Sequence, residues 1–218
     1  MGRLVAAICL LLLPLSGCGG GLSCMRPTGA TLFRYHYGEH LRQMEMFVTR
    51  LYAKNPRYEP DTGMRRLKLR QLFHEGLAVE QRYVRKPSNE VLAAAFARET
   101  TADRVYLLGL GMVKSVREAY GPAAEDRLLI GLQLDLEKLR RLHFNLSQVN
   151  WRLKTYRDDK GELLFRANEA GEGGYINMGY EVIMTRVLTR IEDDMYLRGG
   201  LPGKYAFDLS TLFASILL

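Results

Sequence analysis

Two histidines four residues apart, with a glutamate beside the second, are the residues of this chain best suited to chemistry: His36-Tyr37-Gly38-Glu39-His40. On an α-helix a separation of four puts both imidazoles on the same side, as two zinc ligands require. Other candidates are weaker. Gly109-Leu110-Gly111 lacks the third glycine of a dinucleotide-binding turn, and Lys114-Ser115 follows no glycine-rich loop of phosphate-binding spacing. Both read as helix packing. There is no Gly-x-Ser-x-Gly nucleophile elbow, and Cys24 has no histidine close to it in sequence. Asn145-Leu146-Ser147 matches a glycosylation acceptor but falls within a strongly helical stretch.

The elements that must carry these residues are helices. From Thr31 to about Lys54, Phe33, Tyr37, Leu41, Met44, Val48 and Leu51 recur at steps of three and four, and Asn55-Pro56 ends the run. His40 flanks this stripe and His36 lies further round, which predicts a half-exposed pair at the edge of a packed helix. A second helix is expected over Asp61–His74, with Asp61 or Thr62 as N-cap and Gly76 as its end. A third opens at Ser88-Asn89-Glu90 and runs through the alanines to Thr100-Thr101. Val105–Val113 is nearly all apolar and too short to span a bilayer; a buried helix is expected, with a buried strand as the alternative. Leu136, Leu139, Leu142, Leu146, Val149, Leu153 and Tyr156 define a long amphipathic helix. A turn at Asp158–Gly161, a brief strand over Glu162–Ala167 and a glycine-rich loop over Glu169–Gly174 follow. Tyr175–Leu197 then offers Ile176, Tyr180, Ile183, Val187 and Ile191 to that helix, and Gly199-Gly200-Leu201-Pro202-Gly203 stops it. Asp208 can cap a last helix, in an apolar stretch over Phe207–Leu218 that either packs on the domain or offers a face to a partner. The reading is all-α: one bundle of five to six helices with a long antiparallel hairpin towards its C-terminal half.

Two stretches resemble known families. Arg3, the apolar run Leu4–Leu15 and Leu15-Ser16-Gly17-Cys18 together resemble the lipobox signal peptide of bacterial lipoproteins. That resemblance implies cleavage before Cys18 and acylation of its sulfur, so that Cys18 is the lipid-attachment residue. Gly19 after the modified cysteine, where an inner-membrane lipoprotein carries aspartate, implies the outer membrane. His36-x-x-Glu39-His40 fits the H-x-x-E-H pattern of inverzincin metallopeptidases. That match implies Glu39 as general base and a distant glutamate, Glu118, as third ligand. It covers five residues, and those enzymes use larger domains of mixed sheet and helix.

The domain reading is then residues 1–17 as signal peptide, 18–30 as lipidated tether and 31–218 as the helical domain. Three cysteines are present; Cys9 leaves with the signal and lipid takes Cys18, so no disulfide framework supports the fold. An unlipidated chain could instead close Cys18 to Cys24. The formal charge is +7, one unit of which belongs to Arg3. Arg65, Arg66, Lys68 and Arg70 form a basic cluster, read as a solvated helix face; its functional alternative is anionic lipid or an acidic partner rather than nucleic acid, which an exported chain rarely meets. The expectation is a non-enzymatic assembly or interaction factor of the cell envelope. It has no cofactor and no metal, is anchored through its N-terminal lipid, faces the periplasm and engages an envelope protein. The alternative is a zinc-dependent envelope peptidase.

Overall fold

A computed structural model describes residues 28–75, 81–121, 134–168 and 178–198. The signal peptide, Cys18, Cys24, Gly76, the Glu169–Gly174 loop, Tyr175, Ile176, the Gly199–Gly203 stop and the Asp208 helix lie outside the described residues. Seven α-helices are described: α1 (Thr28–Lys54), α2 (Thr62–Arg70), α3 (Gln81–Val84), α4 (Ser88–Phe96), α5 (Arg104–Tyr120), α6 (Leu136–Thr155) and α7 (Gly179–Leu197). No strand occurs among the described residues, and the molecule is an all-α bundle.

The local signals explain most boundaries. Asp61 caps α2, its carboxylate accepting from the amides of Gly63 at 2.7 Å and Met64 at 3.3 Å. Asp135 caps α6 through the amide of Glu137. Asp103 caps α5 through the amides of Val105 and Tyr106, both at 3.0 Å. Ser88 is the first residue of α4 rather than its cap, because its hydroxyl is taken by Glu118 on α5. That helix ends at Phe96, before the Thr100-Thr101 pair expected to stop it. The brief strand over Glu162–Ala167 is replaced by a single antiparallel bridge, Arg157 to Leu163, beyond which side chains take the backbone groups: Arg57 and Tyr58 donate to the Leu164 carbonyl, and Arg166 is served by Asn55. The Asn55 amide nitrogen donates to the Arg166 carbonyl and its carbonyl oxygen accepts from the Arg166 amide, at 2.9 and 2.8 Å.

Val105–Val113 is helical, and α5 is the hub. Fourteen of its seventeen residues are buried, which requires neighbours on every side. It packs against α1, α4 and α6, and α7 closes the ring between α1 and α6. The α1–α5 and α1–α7 pairs run antiparallel: His40 meets Tyr120 while Tyr52 meets Asp103, and His36 meets Asp194 while Phe47 meets Tyr180. The α6–α7 pair is the expected antiparallel hairpin, with His143 on Glu192 and Asn150 on Glu181.

Glycines allow the hub its neighbours. A Cβ on Gly111 would sit 2.6 Å from the Leu92 side chain and 3.1 Å from its backbone nitrogen; one on Gly109 would sit 3.1 Å from Val48 and Leu72. The helix packing expected of these residues is what they do. Gly111→Ala should therefore lower the thermal midpoint, because overpacking by about 1–3 kcal/mol outweighs alanine's helix-propensity gain of about 1 kcal/mol. Gly38→Ala, on the exposed face of α1 with nothing within 4 Å, should raise it. Paired calorimetric scans check both; equal shifts would mean that the α4–α5 approach is not tight.

Candidate functional site

The helix periods place the candidate histidines on the inner face of α1. His36 stands three residues after Phe33, and His40 stands three after Tyr37 and four before Met44. Both are buried, His36 at 7% and His40 at 0% exposure. The half-exposed edge expected of them is corrected: α7 and the end of α5 cover that side of α1.

Four residues from three helices meet there. His36 Nδ1 lies 2.6 Å from Asp194 Oδ1, in the last turns of α7. Tyr120, the final residue of α5, donates its hydroxyl hydrogen to Asp194 Oδ2. His40 Nε2 lies 2.9 Å from the Tyr120 oxygen. The proton positions follow from donor counting. An ionised carboxylate only accepts, so it takes hydrogens from His36 and from Tyr120. Tyr120 has one hydrogen and gives it to Asp194, so it accepts from His40. His40 is thereby fixed as the neutral Nε2–H tautomer, and its buried Nδ1 has no hydrogen-bond partner.

The electrostatics of His40 and Tyr120 agree with that assignment, while burial works against the charge on Asp194. Burial, with smaller contributions from His36 and Arg190, depresses the His40 imidazole to a pKa of about 3. Burial raises the Asp194 carboxyl above its ordinary value, against the bonds from Tyr120 and His36 that pull it down. Burial and the facing Asp194 push the Tyr120 phenol well above its usual range.

The remaining residues of the H-x-x-E-H pattern do not join the histidines. Glu39 turns to the surface, where Arg42 grips it at 2.9 and 2.7 Å and Arg190 stands 3.6 Å away; the Arg42 bonds hold its carboxyl below the ordinary value. Glu118 accepts from the Ser88 amide at 3.0 Å and hydroxyl at 2.5 Å, fastening the start of α4 to α5. Among the described residues no three histidine, cysteine or carboxylate side chains group as a metal site. What the pattern builds here is a junction between helices.

Asp194 and Tyr120 were not legible as members of this site, yet each carried a signal. Asp194 follows Val187 and Ile191 at steps of four and three, which places a carboxylate on the buried stripe of α7. Tyr120 follows Val116 by four on α5. A charged or polar group in register with an apolar stripe needs a buried partner.

A second buried cluster lies at the opposite end of α5. Lys68 Nζ stands 2.6 Å from Glu59 Oε2 and 3.0 Å from Asp103 Oδ2, and Tyr52 donates to that same Asp103 oxygen at 2.7 Å. Burial alone would lower the Lys68 ammonium, but its two carboxylate partners outweigh it and hold the pKa above the ordinary value. The basic cluster is therefore not one solvated face. Lys68 is buried, Arg65 bonds the Glu59 and Pro60 carbonyls, Arg70 pairs with Glu75 at 3.6 Å, and Arg66 is exposed.

Fold and site together define a helical bundle whose buried ionisable groups pair with one another across helices. Comparison with known proteins finds no matching family model, no similar curated protein and no similar solved structure.

Two measurements test the junction. The lowered His40 pKa makes a stability contribution that is complete above about pH 6.5 and is lost as the pH falls towards 3, by up to about 1.4 kcal/mol per unit. His143, lowered by burial against the opposing bond from Glu192, acts in the same direction, while the raised Asp194 acts in the other. His40→Gln keeps a donor for Tyr120 and removes the titration, so its urea midpoint should fall less than that of the parent chain between pH 7.5 and 4.5. Parallel curves would refute the buried neutral imidazole. Asp194→Ala strands two buried donors and should cost about 2–6 kcal/mol, at about 1–3 kcal/mol for each group left unpaired. Asp193→Ala, on the exposed side of the same turn, should stay within about 0.5 kcal/mol.

Proposed function

We propose that this chain is a lipid-anchored protein of the bacterial envelope, held at the outer membrane through Cys18, facing the periplasm, and acting as a non-enzymatic assembly or interaction factor. The observation that carries the reading is Leu15-Ser16-Gly17-Cys18 at the end of an apolar run that opens just after Arg3. No helix among the described residues is long and apolar enough to cross a membrane, so attachment by lipid asks nothing further of the bundle. The engagement of His36, His40, Glu39 and Glu118 in contacts between and along helices supports an interaction role over hydrolysis. A mature protein of this kind acts through the surface it presents from the membrane and through the partner it holds there.

Cys18→Ala separates anchor from fold. The variant should leave the membrane fraction for the soluble one, take up no radiolabelled palmitate and keep the helical circular dichroism of the parent. Membrane retention of the variant, together with absence of label in the parent, would refute the anchor. Metal analysis of the purified parent tests the interaction role: stoichiometric zinc, lost in a His36→Ala/His40→Ala double variant, would replace it with the peptidase reading.

A further inference from the structure

A cavity of about 380 Å³ opens where the end of α4, the start of α5 and the turn after α6 meet. Phe96, Tyr156 and Leu164 give it an apolar wall, and Arg98, Arg104 and Arg157 line it together with Asp158 and Asp159. The two aromatic rings stand edge to face, 5.6 Å apart. Small-molecule sites run from about 300 to 1,000 Å³ and set a few polar groups in apolar walls.

The charge of this cavity turns on Arg104. It is 7% exposed, and its two terminal nitrogens donate to the carbonyls of Ala95 at 3.0 Å and Arg98 at 3.1 Å. Those oxygens hold the guanidinium in place, but the end of a helix supplies only about half a charge. Two of its N–H groups are used in this way, and a guanidinium has five. No carboxylate among the described residues pairs with it. A buried charge is costly without a countercharge. Arg152 brings a second cation to the same wall. Its guanidinium carbon lies 5.6 Å from the centre of the Phe96 ring and 5.4 Å from that of Tyr156, and its buried Nε has no hydrogen-bond partner.

The acids around the cavity are engaged elsewhere. Asp158 accepts from the amides of Lys160 and Glu162, both at 3.0 Å, and faces Arg57 at 3.7 Å. Asp159 stands 3.7 Å from Arg98, Glu162 stands 4.0 Å from Arg166, and Asp103 is held by Lys68 and Tyr52. Glu99 and Lys160, both exposed, offset each other. Arg104, Arg152 and Arg157 are left over, so the balance at the cavity is positive.

We propose that this cavity binds a small organic oxyanion, a carboxylate or a phosphate monoester carried on a flat apolar body. The oxyanion meets the free N–H groups of Arg104 and the Arg157 guanidinium at the rim, and the body lies against Phe96 and Tyr156. Arginine suits both anions, because its paired N–H donors match two oxygens of either. The site goes beyond the anchored interaction role and does not depend on the anchor.

The test titrates the full chain, purified in a neutral maltoside detergent, by calorimetry at low salt. The probes are benzoate, phenyl phosphate, inorganic phosphate, benzyl alcohol and benzylamine. Benzoate or phenyl phosphate should bind saturably at one site per chain, and the tighter of the two identifies the oxyanion. Inorganic phosphate and benzyl alcohol each lack one half of that ligand and should bind several-fold more weakly. Arg104→Gln keeps one donor for the α4 carbonyls and should weaken the better anion about ten- to a hundredfold, as loss of a hydrogen bond to a charged group does. Arg66→Gln, exposed on α2, should leave it unchanged. If circular dichroism shows that Arg104→Gln has lost its helices, Arg157→Gln takes its place, with several-fold weakening expected. The site would be overturned by absence of saturable anion binding, by inorganic phosphate or benzylamine binding as tightly as the aryl anions, or by full affinity in the folded arginine variant.

Discussion

One buried carboxylate holds three helices in register. Asp194 is fully removed from solvent and accepts from His36 on α1 and Tyr120 on α5 while belonging to α7. A charge in that position is strongly unfavourable by itself, so the fold tolerates it only where both partners arrive together. That requirement sets the axial position of α1 and α7 along α5 more sharply than apolar packing does. Leucines and valines can slide by part of a turn at modest cost, whereas a hydrogen bond of 2.6 Å cannot.

The same device recurs at the far end of the hub. Asp103 caps α5, where a negative charge complements the helix dipole, and it also receives Lys68 and Tyr52. α5 is thus clamped at its start by an ion cluster and at its finish by a tyrosine, with an apolar, glycine-relieved middle. Specificity of arrangement comes from the two polar ends, and most of the burial comes from the middle. A bundle built this way is rigid where its helices meet and offers its polar chemistry inward.

Much of the architecture was legible in the chain because helical packing writes a period into the sequence. The stripes on α1, α6 and α7, the cap at Asp61, and the nearly all-apolar run Val105–Val113 in α5 each follow from local spacing or local hydrogen bonding. What misled was any residue whose role depends on a distant segment. His36 and His40 looked half-exposed because the stripe on α1 was drawn through apolar residues alone, and the face that α7 covers is completed by polar ones. Lys68 looked solvated because three arginines surround it in sequence. Glu162–Ala167 looked like a strand, and the side chains of Arg57, Tyr58 and Asn55 took the place of the strand's partner.

The sequence by itself determined the all-α class, the principal helices with their apolar stripes and the lipobox resemblance, because these depend on residues within a few positions of one another. Only the tertiary structure decided that His36 pairs with a carboxylate 158 residues away and that Glu118 holds Ser88 rather than a histidine pair. The reason is physical. A period says which way a side chain faces along its own helix, but what it meets there depends on how several helices pack at once.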